Sequence, residues 1–283
     1  MRLVVTADLH FNHAKSNAVA EAAAAEISCT PGDVLLLVGD TAAGDGEALE
    51  RGLSAIRFDG PKLFVAGNHE LWTGRGDSHT LFTDELPRRV RDAGWQWLET
   101  DPFERDSVAI VGSVGWYDYA YAPADLGVPE RFYETKVSPG AAQRLAEWTS
   151  LLGDDVPASA AEIVVRWSDG KHVSLGRSDA AFLAERLDQL RRSLASVTAE
   201  RVVAAVHHVP LRELLPPRVN PTLDFVRAYF GSPRIGELLL ADSRVSHVLC
   251  GHTHSQADVT LDGVRCVNIG STYTQKRLLM LEL

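Results

Sequence analysis

Cysteine is scarce in this chain of 283 residues, with three at positions 29, 250 and 266. An odd number of widely spaced thiols with no CxxC pair excludes a disulfide framework and a zinc knuckle, and reads as buried thiols in a reducing compartment. Basic charge is also in short supply. Lys and Arg number 28 against 38 Asp and Glu, giving a net charge of −10, and no basic run exceeds a pair. Duplex nucleic acid and anionic membranes are bound largely through phosphate neutralisation, so neither is an expected partner. Apolar runs stop after about five to seven residues, far short of a membrane span. The opening Met1-Arg2-Leu3-Val4-Val5-Thr6 lacks the apolar core of a signal peptide, which makes the cytoplasm the expected compartment.

What is present is the balance of a soluble globular protein, 45% hydrophobic and 23% charged. At roughly 150 residues per domain the length allows one large domain or two. A chain this long buries about three quarters of its unfolded surface, so it needs no metal staple merely to fold. Any metal it binds would serve chemistry first.

Apolar, β-branched runs at 3–7, 34–38 and 63–66 alternate with helix-forming stretches at 14–27 and 47–56. That order predicts right-handed crossovers, a largely parallel sheet and chemistry at the carboxyl ends of its strands. Further strands are expected at 108–113, 201–206, 245–250, 258–261, 264–269 and 277–283, with Asp262-Gly263 as a hairpin turn, so the sheet ends antiparallel. Residues 178–197 predict an amphipathic helix capped by Ser178. Residues 163–175, centred on Asp169-Gly170, predict a second hairpin. With no repeat and no linker, one domain over 1–283 carrying an inserted lid around 116–177 is preferred to two.

Five short clusters each follow a predicted strand: Asp8-Leu9-His10, Gly39-Asp40, Gly67-Asn68-His69-Glu70, His207-His208-Val209-Pro210 and Gly251-His252-Thr253-His254. Singly each has a plain structural explanation, a turn or a packed imidazole. Together they would gather on one edge of one sheet. They hold six of the ten histidines with two aspartates and an asparagine, a thiolate-free donor set suited to Mn, Fe, Zn or Co. There are too many ligands for one ion and enough for two if one carboxylate bridges.

These motifs, in this order, resemble the calcineurin-like metallophosphoesterase superfamily. The resemblance spans residues 8–254 and implies an α/β fold: a four-layer αββα sandwich of two mixed β-sheets flanked by helices. Position by position, it implies Asp8, His10 and His254 on one metal, Asn68, His207 and His252 on the other, and Asp40 bridging. His207 rather than His208 is then the ligand, with His208 a substrate contact or a packed supporting group. It further implies hydrolysis of a phosphomonoester or phosphodiester by attack of a metal-bridging hydroxide, with His69 as general acid. Glu70 either orients His69 or caps the following helix. The cofactors are two divalent or trivalent ions, manganese first, with iron and zinc as alternatives.

Departures from the family pattern narrow the substrate. Thr41-Ala42 follows Asp40 and Ala66 precedes Gly67, which speaks against the Ser/Thr protein phosphatase branch. A small-molecule phosphate ester is therefore expected. Its contacts are sought at Asn12 and His208 and in the aromatic run led by Trp116 and Tyr117, which either walls a pocket or packs the lid. The rivals are a nuclease on single-stranded ends and a non-catalytic interaction scaffold on the same fold. Oligomeric state has no signature in the sequence.

Overall fold

A computed structural model describes all 283 residues. Eleven strands form two sheets. The first orders β11 (Leu279–Glu282), β1 (Arg2–Thr6), β2 (Val34–Val38), β3 (Lys62–Val65) and β4 (Gln96–Trp97). The second orders β5 (Phe103–Arg105), β6 (Val108–Ser113), β7 (Arg201–Val206), β8 (Val245–Cys250), β10 (Val264–Asn268) and β9 (Ala257–Leu261). Both are mixed, parallel inside with antiparallel pairs at β1–β11, β5–β6 and β10–β9.

Alternation along the strands builds the layers. Leu3 and Val5 of β1, Leu36 of β2, Val203 and Ala205 of β7 and Leu249 of β8 share one apolar cluster between the sheets. Their neighbours Val4, Leu35, Leu37, Val202, Ala204 and Val248 face outward into a larger cluster with the helices. Asn17–Cys29 presents Ala20, Ala23, Ala24 and Ile27 to the first sheet, small residues that let helix and strands approach closely. On the second sheet, Asp179–Ser196 presents Phe182, Leu183, Leu187 and Leu190. Ser178 caps that helix by accepting from the N–H of Ala181 at 3.2 Å. The result is the expected αββα order.

Residues 116–177 contain only short helical turns, among them Glu130–Glu134, Pro139–Ala142 and Asp169–His172. Their apolar residues Phe132, Val137 and Ile163 belong to the same cluster as the sheet and helix residues, so the segment shares the main core. The hairpin expected at 163–175 is replaced by the turn of helix at Asp169–His172. The flanks of the Asp-Gly signal, Val165-Arg166-Trp167 and Val173-Ser174-Leu175, alternate as a hairpin's would, but they bond elsewhere, Val165 O accepting from Ser138 N–H and Ser174 O from Ser78 N–H, and Asp169 is drawn inside by the bonds described below. No helix is long and apolar enough to cross a membrane.

Candidate dinuclear metal site

The five clusters meet beyond the carboxyl ends of β1, β2, β3, β7 and β8. The chain turns sharply at three of them, after β1, β2 and β8. Asp8, His10, Asp40, His252 and His254 all adopt left-handed backbone, with φ of 57°, 51°, 55°, 73° and 55°. Such conformations cost about 1–3 kcal/mol each in a residue with a Cβ and persist only where surrounding bonds impose them. Those bonds are present: Asp8 N–H donates to Gly39 O at 3.0 Å, His10 N–H to Asp40 O at 2.9 Å, and His252 N–H to Asp8 Oδ1 at 3.0 Å. Gly67 is required for another reason, because a Cβ there would run into Asp40 Oδ1.

Asp40 is central. Its Oδ1 is 3.4 Å from His207 Nε2, and its Oδ2 is 3.8 Å from both His10 Nε2 and His69 Nε2. On one side, His254 Nε2 stands 3.0 Å from His10 Nε2 and 3.7 Å from Asp8 Oδ1. On the other, His252 Nδ1 stands 3.2 Å from His207 Nε2, whose Nδ1 donates to Val38 O at 3.0 Å. Asp8, His10 and His254 form one group with metal-ligand spacing, Asp40, His207 and His252 another, and His10, Asp40 and His69 a third that overlaps both.

Cations fit this arrangement. Asp8 Oδ2 and Asn68 Oδ1 are buried with no hydrogen-bond partner, although an unpaired interior acceptor costs about 1–3 kcal/mol. Nitrogen faces nitrogen in both histidine pairs. Burial holds His10 and His252 well below the usual imidazole range and pushes His254 down to about 4, so all three are neutral and present lone pairs. Burial alone would lower His207, but Asp40 beside it carries it up to about 9. Asp40 is held well below the carboxylate range because His207 and His69 outweigh its burial.

His69 lies next to these donors. Its backbone N–H donates to Asp40 Oδ1 at 3.0 Å and its ring stacks on Trp72 at 3.7 Å. His172 stacks on Trp72 at 4.6 Å. Glu70 does neither of the things expected of it. Its carboxylate accepts four backbone N–H groups, from Asp40 at 2.9 Å, Thr41 at 2.7 Å, Ala42 at 3.0 Å and Gly67 at 2.6 Å. It thereby ties the loop after β2 to the loop after β3.

Three expected substrate contacts are corrected. Trp116 and Tyr117 are fully buried, their polar atoms committed to Asp179 at 2.7 Å and Asp169 at 3.0 Å, so they pack the segment onto the core and wall no pocket. His208 is equally buried, its Nδ1 2.7 Å from Val114 O and its ring against Trp116, which makes it a packed supporting group. Asn12 is exposed on the loop after His10.

Sequence reasoning missed three neighbours. Tyr273 lies over the site, its ring 4.7 Å from His10, 4.3 Å from His13 and 4.8 Å from His254. Lys276 donates to the carbonyls of Asp8 and Thr272 at 2.6 and 2.7 Å. Asp169 accepts from Asn68 Nδ2 at 2.8 Å. None stands in a cluster after a strand, the one signal that found the others.

Among solved structures, the phosphopantetheinyl hydrolase of Mycobacterium tuberculosis superimposes with a TM-score of 0.69 at 21% identity, covering 96% of this chain and 89% of that one. A dimetal phosphatase from Danio rerio gives a TM-score of 0.48 at 13% identity, covering 99% and 91%. At these identities the likeness shows the fold alone. No curated protein matches by sequence. The model of the calcineurin-like phosphoesterase family matches residues 1–256, and the chain belongs to this family of metal-dependent phosphoester hydrolases, which work with a dinuclear metal centre.

Proposed function

We propose that this protein hydrolyses a small-molecule phosphomonoester or phosphodiester, with two metal ions held by seven side chains. Asp8, His10 and His254 would hold one ion, Asn68, His207 and His252 the other, with Asp40 shared. Bound there, the ions would neutralise the phosphate and acidify a water near neutral pH. Manganese suits this donor set first, with iron and zinc as alternatives. The observation that carries the reading is a chain of overlapping groups with metal-ligand spacing, two of which share Asp40, together with the buried acceptors Asp8 Oδ2 and Asn68 Oδ1 that have no partner in the protein.

The remaining work falls to the chain. His69 supplies the proton for the departing alkoxide. Its Nδ1 has no partner in the protein and its Nε2 lies 3.8 Å from Asp40 Oδ2, while the Trp72 stack fixes the ring plane. Asn12 and His13, on the loop leaving the site, are positioned to meet the substrate's outer part. The net charge of −10 speaks against polynucleotides and for a small ester. Three unpaired cysteines, two of them buried, favour the cytoplasm.

The test is hydrolysis of p-nitrophenyl phosphate beside its bis ester, on protein freed of metal and reloaded with Mn2+, Fe2+ or Zn2+ in turn. Metal-dependent release from either ester supports the reading, and the preferred ester sets the substrate class. No release from either ester with any metal, on protein that binds none of them, overturns it in favour of a scaffold.

A further inference from the structure

Asp169 is an aspartate with no place in the chemistry above, and it is fully buried. Four donors, two from the loop after β3 and two from residues 116–177, converge on its carboxylate. Oδ1 accepts from Asn68 Nδ2 at 2.8 Å and from Trp72 Nε1 at 2.7 Å. Oδ2 accepts from Trp167 Nε1 at 2.8 Å and from Tyr117 OH at 3.0 Å. Each indole and amide N–H in this set can only donate, and an ionised carboxylate can only accept. The arrangement therefore has one polarity.

That polarity settles which way the Asn68 amide points. Turned over, the amide would set Oδ1 against a carboxylate oxygen, two acceptors facing each other, and would put its N–H groups where Oδ1 now lies. With Nδ2 held by Asp169, Oδ1 is left on the opposite side, buried and without a partner. An amide oxygen is a metal donor and an amide nitrogen is not, so half of the possible Asn68 orientations would leave the second ion one ligand short.

We propose that Asp169 is a positioning residue for the second metal site, fixing the Asn68 amide oxygen toward the ion and making that site depend on docking of residues 116–177. This rests on Asn68 being a metal ligand. Asp169 opens the short helix Asp169–His172 within that segment, and Tyr117 and Trp167, its two neighbours on Oδ2, belong to the same segment. Asn68 and Trp72 come from the loop after β3, so the carboxylate joins the two parts.

The experiment loads Mn2+ onto wild type, Asp169→Asn and Trp167→Phe and reads metal content, Mn2+ affinity and the electron paramagnetic resonance spectrum. Loss of a partner that orients a ligand costs about 10–100-fold in affinity. Asp169→Asn is expected to weaken one of two sites by that factor, replacing the spectrum of a coupled manganese pair by that of a single ion. Trp167→Phe removes one donor from the same carboxylate but leaves the Asn68 bond, and is expected to keep both ions. Two ions with unchanged affinity and a coupled spectrum in Asp169→Asn overturn the proposal, as does equal loss in Trp167→Phe. Should Asp169→Asn fail to fold, hydrogen exchange on the wild-type protein decides. Filling both sites with Mn2+ is expected to slow exchange of the backbone amides at Asp169–His172, and unchanged exchange there overturns the proposal. A wild type that binds no manganese refutes the metal reading itself, a result distinct from either of these.

Discussion

Single residues divide here into those that would hold ions, those that move protons and those that keep the loops in place, and substitution separates the three. Asp40→Ala removes the shared carboxylate, so turnover and metal content are expected to fall together. Near-normal activity in that variant would sink the proposed mechanism. His69→Ala is expected to keep its metals and lose about 10²–10⁴-fold in kcat, the usual contribution of a positioned acid. The loss should be smallest for esters whose leaving group needs no proton, such as p-nitrophenol. A uniform loss across leaving groups would reassign His69. Glu70→Gln belongs to the third class. The amide nitrogen would face N–H groups that now donate to a carboxylate, leaving buried donors unpaired at about 1–3 kcal/mol. A lowered Tm for metal-free protein checks this, and an unchanged Tm would show that the four bonds in Glu70's grip contribute nothing net.

At the scale of strands and helices, one buried acid that is not among the metal donors offers a pH test. Glu99 follows β4, accepts from the Val114 N–H and lies 3.6 Å from Arg186. Burial pushes its carboxyl up to about 7 despite Arg186, from an ordinary value of 4.5. The folded state therefore holds this proton more tightly than the unfolded chain. The associated stability is fully present below about pH 4.5 and is lost as pH rises through about 7, at roughly 1.4 kcal/mol per unit. Glu99→Gln carries no such dependence. Its Tm relative to wild type is expected to climb across that window, whatever constant cost Arg186 adds, and a difference that stays flat with pH would refute the assignment.

The same scale shows what the sequence makes legible. Runs such as Val34–Val38 and Arg201–Val206 are buried on both faces, so they are continuous apolar stretches with sharp polar ends, and their limits can be read directly. The antiparallel tail follows from Asp262-Gly263 for the same local reason. β4 and β5 have two and three residues, too few to show any period. Trp116 and Tyr117 look like a pocket wall because the sequence shows aromatic density but hides what covers it. The metal-site candidates are legible because each sits one to four places beyond a readable strand. Asp169, on a single turn of helix, and Tyr273 and Lys276, on irregular backbone, reach the same site where contact depends on tertiary packing.

For the molecule as a whole, the metal site lies across the seam of the sandwich. Asp8, Asp40 and Asn68 extend from β1, β2 and β3 of the first sheet, whereas His207, His252 and His254 extend from β7 and β8 of the second. Below the rim the sheets are held by the apolar layer of Leu3, Val5, Val203 and Leu249. At the rim itself the facing groups are carboxylates and imidazoles, and acceptors such as Asp8 Oδ2 and Asn68 Oδ1 have no partner there unless cations lie between them. Ions at these positions would cross-link the sheets, and since they bind the folded chain, their binding energy would add to its stability. At a concentration a hundredfold above Kd, one site contributes about 2.7 kcal/mol. At roughly 2–4 °C per kcal/mol for a chain of this size, emptying one site is expected to lower Tm by about 5–10 °C. Scanning calorimetry with a chelator, followed by back-titration with Mn2+, measures this. The lost Tm should return in full, and in Asp40→Ala neither the loss nor the recovery should appear. A Tm indifferent to chelator in protein shown to carry two ions would mean that the sheets are held by their apolar layer alone and that the rim tolerates its unpaired donors.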